Sequence, residues 1–344
     1  MEQYVGIDVS PEQSSVCVMN RAGQILRETK VASDPEALLL ILGRLDHPVT
    51  LLGMEAGPLS QWLHAGLAAA GIEVVLMETR QVKAALSAMP IKTDRRDACG
   101  IAQLLRMGWF RPVHCKSTSA QEVRALLTAR KLLQSKMLDI ELGLRGVLRG
   151  FGLRIGNISK GRFAERVQEL AGGNSMLERV TAAMLRARDA LRTEMTALDK
   201  RARDLARDEA TCRRLMTVPG VGPLTALTFT SAVDDPGRFR SSKRVGAHFG
   251  LTPKKHQSGE TDITGGITKA GDGTMRSMLY EAAQAMLTQT QSVSRLRSWG
   301  LRVAQRRGLN RAIVAVARKL ATVLHRMWLD GTTFHFGKED VRTA

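Results

Sequence analysis

The sequence predicts an α/β front domain joined to a mainly helical remainder, and three observations predict it. Within the first 110 residues, short apolar runs of strand length alternate with helical stretches. From about Ser119 the apolar positions fall instead in steps of three and four, sustained over two long stretches. The charge divides along the same line: of 51 Lys+Arg and 33 Asp+Glu, residues 1–110 hold 10 and 12, net −2, which leaves 41 and 21, net +20, for the rest. A chain of 344 residues suits two or three domains, and the pattern divides them as 1–110, 111–212 and 213–344. The basic excess implies a polyanion partner held mainly by the back of the chain.

In order, Tyr4–Val9 and Ser14–Met19 read as strands joined at Ser10–Gln13, with Gly23–Val31 a third strand in an antiparallel meander. Asp34-Pro35-Glu36 opens a helix through Leu45, with an acid at the cap and proline in the first turn. Val49–Glu55 fits a buried strand, Pro58–Ala70 a helix and Glu73–Met77 another strand, followed by a linking stretch and a helix opening at Lys92-Thr93-Asp94-Arg95-Arg96-Asp97. An apolar strand follows Met1-Glu2-Gln3 directly, so neither a signal peptide nor a membrane span is expected. The four cysteines, Cys17, Cys99, Cys115 and Cys212, form no CxxC pair; a reducing cytosol fits, without a zinc site or disulfide framework.

Four acids stand out. Asp94 and Asp97, three apart, share one face of a helix, and a plain cap explains them locally as well as chemistry does. Asp8 lies among apolar neighbours in the first strand, where a charge is costly unless paired. Glu55 ends the fourth strand between Gly53 and Gly57. Were the four to converge within about 4 Å, each like-charge pair would cost roughly 4 kcal/mol at an effective dielectric near 20, so the cluster would want a cation. An all-oxygen set favours Mg²⁺ or Mn²⁺ over zinc.

Farther on, Leu126, Leu133, Met137, Ile140, Leu144, Val147 and Phe151 form one seam, and Leu177, Val180, Met184, Ala187, Leu191, Leu198, Ala202 and Leu205 a second. The two read as a coiled-coil helical hairpin interrupted at Gly150–Gly161 and Gly172-Gly173. Val218-Pro219-Gly220-Val221-Gly222-Pro223 reads as a helix-hairpin-helix turn, with Gly220 and Gly222 freeing backbone N–H groups for a phosphate; a plain glycine turn between packed helices is the alternative. Next come Gly250-Leu251-Thr252-Pro253, Lys254, Lys255, His256, Gln257-Ser258-Gly259, a loop from Gly265 to Asp272 containing Lys269, and a helix beginning near Met275-Arg276. Locally Ser258-Gly259 is a turn dipeptide, and the basic neighbours would suit a phosphate. Asn310–Leu329 closes the chain as a helix with an apolar face, and the tail after Gly331 is expected to be loose.

The strand order, Asp8, Glu55 and the Lys92–Ala98 run resemble the ribonuclease-H-like (RuvC-like) domain of the DEDD insertion-sequence transposases. The Pro-Gly-Val-Gly turn, the Gly-Leu-Thr-Pro and Gln-Ser-Gly runs, the Ile-Thr-Lys-Ala-Gly-Asp loop and Arg276 are similar to the C-terminal transposase domain of the same family. That resemblance implies an RNA-guided recombinase acting in the bacterial cytoplasm at the nucleoid on donor and target DNA. It further implies Asp8, Glu55, Asp94 and Asp97 as the metal-holding quartet and Ser258 as covalent nucleophile, ahead of Ser241 and Ser242. Lys254, Lys255, Lys269 and Arg276 would meet nucleic acid, and a structured guide RNA and a homo-oligomer, dimer or tetramer, would be the partners. A hydrolytic RuvC-like nuclease or junction resolvase is the alternative enzyme, and a nucleic-acid-binding protein without catalysis the third reading.

Overall fold

The computed structural model describes residues 2–89 and 91–337. The chain divides into two compact units, Met1–Lys116 and Ser117–Ala344.

The first unit is built on β1 (Gln3–Asp8), β2 (Gln13–Asn20) and β3 (Ile25–Ala32), followed by α1 (Pro35–Leu42), β4 (Val49–Glu55), α2 (Ser60–Ala69), β5 (Val74–Met77), α3 (Thr79–Leu86) and α4 (Asp94–Arg106). The sheet order is β3-β2-β1-β4-β5. Its first three strands pair antiparallel, while β1, β4 and β5 run parallel. The two-residue period sends Val5, Ile7, Leu52 and Met54 into one core with Leu38 of α1 and Leu63 of α2. The opposite face carries Gly6 and is covered by α4. A Cβ on Gly6 would lie 2.2 Å from the Ala98 carbonyl oxygen, so only glycine lets α4 sit directly on β1. The strands match the sequence pattern closely, but α3 occupies what the sequence presents as a linker. Val82 is its one buried residue, too little apolar signal to mark a helix.

The second unit begins with α5 (Thr118–Gly150), α6 (Phe163–Ala171) and α7 (Ser175–Asp208). The pairs Arg130–Asp199 and Glu141–Arg188 show that α5 and α7 pack antiparallel. On α5 the expected seam is buried or half-buried as far as Val147, with Leu144 fully enclosed, whereas Phe151 is exposed. On α7 the early seam slips by one residue: Val180 and Ala187 face outward, and Thr181, Leu185 and Arg188 are buried. Arg188 causes the slip. Its guanidinium donates to Glu141 (2.7 Å) and lies over the Phe163 ring of α6, a charged anchor that apolar periodicity cannot register.

There follow α8 (Ala210–Leu215), α9 (Pro223–Val233), α10 (Lys243–His248), β6 (Pro253–Ser258), β7 (Thr261–Ile267), α11 (Gly273–Thr288), α12 (Arg295–Arg307) and α13 (Leu309–Asp330). A shared core around Phe229, Phe249, Leu279, Leu320 and Leu324 binds them together. Of the stretch expected as a loop from Gly265 to Asp272, residues 265–267 are instead the end of β7, paired with β6 in a two-stranded hairpin, and residues 268–272 are loop as expected. The expected loose tail is tied down as far as it is described: Phe334 N–H donates to Thr217 Oγ1 (2.9 Å) and Arg295 N–H to the Phe336 carbonyl (3.2 Å).

Candidate active site

Ile7 of β1 pairs with Met54 of β4, so Asp8 and Glu55 are the next residues at the carboxyl ends of two adjacent parallel strands. In α/β sheets that is where ligands are bound. The pleat points both toward the face covered by α4, whose first turn supplies Asp94 and Asp97. The cap of α4 is Thr93, whose hydroxyl accepts from Arg96 N–H (3.3 Å), so neither aspartate side chain is consumed by capping. Lys30 Nζ donates to Asp94 (3.3 Å), and Lys92 Nζ lies 3.9 Å from Asp97.

Burial pushes the Asp8 carboxyl up to about 6, with Asp97, Asp94 and Glu55 adding their charge and Lys92 opposing them. Burial likewise raises Glu55, partly offset by the neighbouring Thr79 hydroxyl and by Lys92. A cleft of about 610 Å³ opens beside Asp8, Glu55 and Thr79, and a second of about 310 Å³ lies between Glu55, Lys92 and Asp97. The fold therefore brings the four predicted acids into one electrostatic cluster, but an open one. Among the described residues, the only trio of candidate ligands whose donor atoms all lie within 4.8 Å is Cys17, Glu28 and Cys99.

Sequence reasoning missed that trio, since Cys17 and Cys99 are 82 residues apart. Their sulfurs lie 2.9 Å apart and the Cys99 thiol donates to Glu28 (3.0 Å). Two thiolates on one tetrahedral zinc stand about 3.8 Å apart, so the arrangement is that of a hydrogen-bonded thiol pair.

In the second unit Ser258 ends β6 at the exposed tip of the hairpin, paired with Thr261 across Gly259 and Glu260. Lys254 is exposed at the root end of the same strand, and Lys255 is paired with Asp262 (3.2 Å). Lys269 is exposed with φ +55°, and an Arg276 N–H₂ group donates to the carbonyls of Phe249 (3.1 Å) and Ala270 (2.9 Å), bracing the loop before α11. Gly220, at φ +86°, sits where a Cβ would be 2.4 Å from the Ala282 oxygen, so packing on α11 accounts for it. Gly222 caps α9 and has open space beside it.

The rival serines are otherwise engaged. His325 is fully buried, and burial lowers its pKa. Its Nε2–H donates to the Pro236 carbonyl (3.0 Å), which leaves Nδ1 to accept from the Ser242 hydroxyl (2.9 Å). Ser241 Oγ accepts from Lys243 N–H (3.3 Å).

An α/β unit with an acid cluster at its strand ends and a basic helical unit suit a nucleic-acid enzyme, and the comparisons with known proteins say which class the chain belongs to. Residues 5–152 match the DEDD_Tnp_IS110 transposase family, and residues 212–298 the "Transposase IS116/IS110/IS902 family". The transposase for insertion sequence element IS1111A of Coxiella burnetii is 28% identical over 346 residues, covering 97% of this chain and 92% of that one. A probable family 20 transposase of Pseudomonas aeruginosa is 29% identical over 285 residues, covering 80% and 83%. Among solved structures, T. thermophilus RuvC in complex with a Holliday junction substrate aligns with 33% of this chain and 100% of its own at 19% identity, with a TM-score of 0.26. The chain belongs to the IS110/IS116/IS902 family of transposases, enzymes of DNA cleavage and strand transfer.

Proposed function

We propose that Asp8, Glu55, Asp94 and Asp97 hold Mg²⁺, with Mn²⁺ able to replace it, and that Ser258 is the nucleophile of a transposition running through a phosphoserine link. The observation that supports the metal most directly is Asp8, a carboxyl at the end of a core strand with three further acids bearing on it. The all-oxygen donor set suits a hard cation that keeps several waters, as the openness of the cluster requires. Bound there, the cation would neutralise and polarise the scissile phosphate. The chain's own groups do the rest. Asp8 and Glu55 fix the place from two strand ends, Asp94 and Asp97 complete it from α4, and Lys30 and Lys92 hold counter-charge beside the last two.

Ser258 Oγ attacks phosphorus, the Oγ–P bond forms, and the P–O3′ bond breaks, with the departing 3′ oxygen taking up a proton. A 3′-hydroxyl of the strand to be joined then attacks the same phosphorus, and Ser258 leaves and regains its proton. DNA is the substrate on both donor and target sides. Aromatics make up only 4% of the chain, so backbone contacts in the basic unit, including Gly222, Lys254, Lys255 and Lys269, are expected to dominate over base stacking. Sequence choice falls to a structured guide RNA through base pairing, in the cytoplasm at the nucleoid. Strand exchange needs several such serines, hence a dimer or tetramer. Leu132, Leu138 and Leu142 of α5 and Met176 of α7 are exposed apolar side chains available for such contacts.

The test is a trapping assay with protein, Mg²⁺, guide RNA and end-labelled DNA. A protein–DNA adduct is expected, lost in Ser258→Ala and in Asp8→Ala while the circular dichroism spectrum is unchanged. A hydrolytic nuclease is the second reading, favoured by the exposure of Ser258 at a hairpin tip. Cleavage that persists in Ser258→Ala would establish it at the expense of the first.

A further inference from the structure

Away from the acid cluster, a groove of about 760 Å³ runs along α13 between α12 and the root of the β6–β7 hairpin. Leu251, Ile267, Val314 and Val323 give it an apolar lining, with Trp299 at one side. Its other lining residues include Lys243, Arg311, Arg318 and Lys319, and no acid among the described residues. Lys319 Nζ lies 3.8 Å from the centre of the Trp299 ring, holding cation and aromatic together.

We propose that this groove receives an unstacked nucleotide of a single DNA strand, with the base against Val314, Val323 and Trp299 and the flanking phosphates on Arg311 and Lys319. Charge complementarity selects the occupant. Four cations without an acid call for a polyanion, and the apolar lining calls for a flat, weakly solvated body. A nucleotide strand carries both at short repeat, whereas an acyl chain brings one charge and a protein helix must place its acids to fit.

The position gives the site a purpose. Pro253 and Ile267, both in the lining, are paired at the root of the hairpin whose tip carries Ser258. Five residues of strand at roughly 3.3 Å each span about 17 Å, about five steps at the duplex rise of roughly 3.4 Å and fewer for an unstacked strand. A strand presented to Ser258 can therefore be gripped in the groove a few nucleotides away. This placement rests on the proposed role of Ser258, while the binding site itself does not.

The test uses the full chain and a short single-stranded DNA carrying 2-aminopurine, with a blunt duplex and a single-stranded RNA of the same sequence as comparators. Joint Arg311→Gln and Lys319→Gln should weaken single-strand binding roughly tenfold and flatten its salt dependence by about 1.4 in log–log slope. Joint Arg179→Gln and Arg186→Gln, the same charge loss at exposed positions on α7, should do much less. Val314→Gln, which leaves the charge alone, should abolish the 2-aminopurine emission change at unaltered melting temperature. Equal weakening by both arginine- or lysine-directed pairs, or an emission change that survives Val314→Gln, would overturn the proposal. So would preferential binding of the RNA, or altered self-association with single-strand affinity intact, which would mean a second copy fills the groove. Ser258→Ala should keep the groove signal. If wild type shows that signal but forms no covalent adduct, the nucleophile assignment fails and the groove stands.

Discussion

The two units carry their candidate catalytic groups in opposite ways. In the first, Asp8 and Glu55 end adjacent strands of a buried sheet, and α4 lies on that sheet at a clearance that admits no Cβ at Gly6. In the second, Ser258 stands at the tip of a two-stranded hairpin in which every residue of β6 is exposed. Acids that must hold a cation need fixed geometry, and rigid elements supply it. A serine proposed to accept and then release a DNA strand is served by an exposed segment that a strand can reach. The contrast is thus between a site built by packing and one built by presentation.

The largest stability effect should fall in the helical body behind the hairpin. Arg188→Ala leaves Glu141 without its partner and uncovers Phe163, at a cost of about 3 kcal/mol. A thermal melt should show the second unit losing stability while the acid-bearing unit keeps its own transition. The double replacement Arg188→Met with Glu141→Leu should recover most of the loss, because no unpaired charge remains. A double variant as unstable as the single one would show that the pair itself, rather than the stranded charge, matters.

Identical substitutions in the two regions sharpen the comparison next. Gly6→Ala must push α4 off β1, costing about 2 kcal/mol and displacing Asp94 and Asp97 with it, so Mg²⁺-dependent cleavage should vanish. Gly266→Ala in the hairpin meets open space and should change stability by less than about 0.5 kcal/mol. If both are tolerated in folding and cleavage, the first site is not held by packing.

How much of this could be read from sequence follows from the same physics. The sheet was legible because Val5, Ile7, Leu52 and Met54 alternate with residues facing the other side, and Asp8 interrupts that pattern audibly. The hairpin was not, because Lys254, Lys255, His256, Gln257 and Ser258 are all exposed and no face of β6 is apolar. Arg188 shifted the α7 seam because a buried cation looks like a surface residue until Glu141, 47 positions earlier, is brought beside it. The Cys17–Cys99 contact was equally invisible, since only the packing of α4 on β2 creates it. The four acids were legible as residues, but the openness of their cluster and the two lysines beside Asp94 and Asp97 were not.

The smallest predicted effect probes the packed site through a single proton. Without metal, the Asp8 carboxyl sits at about 6 in the folded chain against an ordinary 3.8, so between these values the folded state binds more protons than the unfolded one. Stability from this group is therefore fully present below about pH 3.8, is lost as the pH rises through about 6, and stays lost above it. Allowing for solvent screening, the cost at neutral pH is about 1–2 kcal/mol. Asp8→Asn should accordingly raise the metal-free melting temperature at pH 7.5 and leave it nearly unchanged at pH 4. Adding Mg²⁺ should raise the wild type at pH 7.5 and do little for the variant, because a ligand of the folded state stabilises only where it binds. A variant that melts lower than wild type at pH 7.5 without metal would mean that the Asp8 charge is already satisfied by the protein, and the case for a cation at this cluster would fall with it.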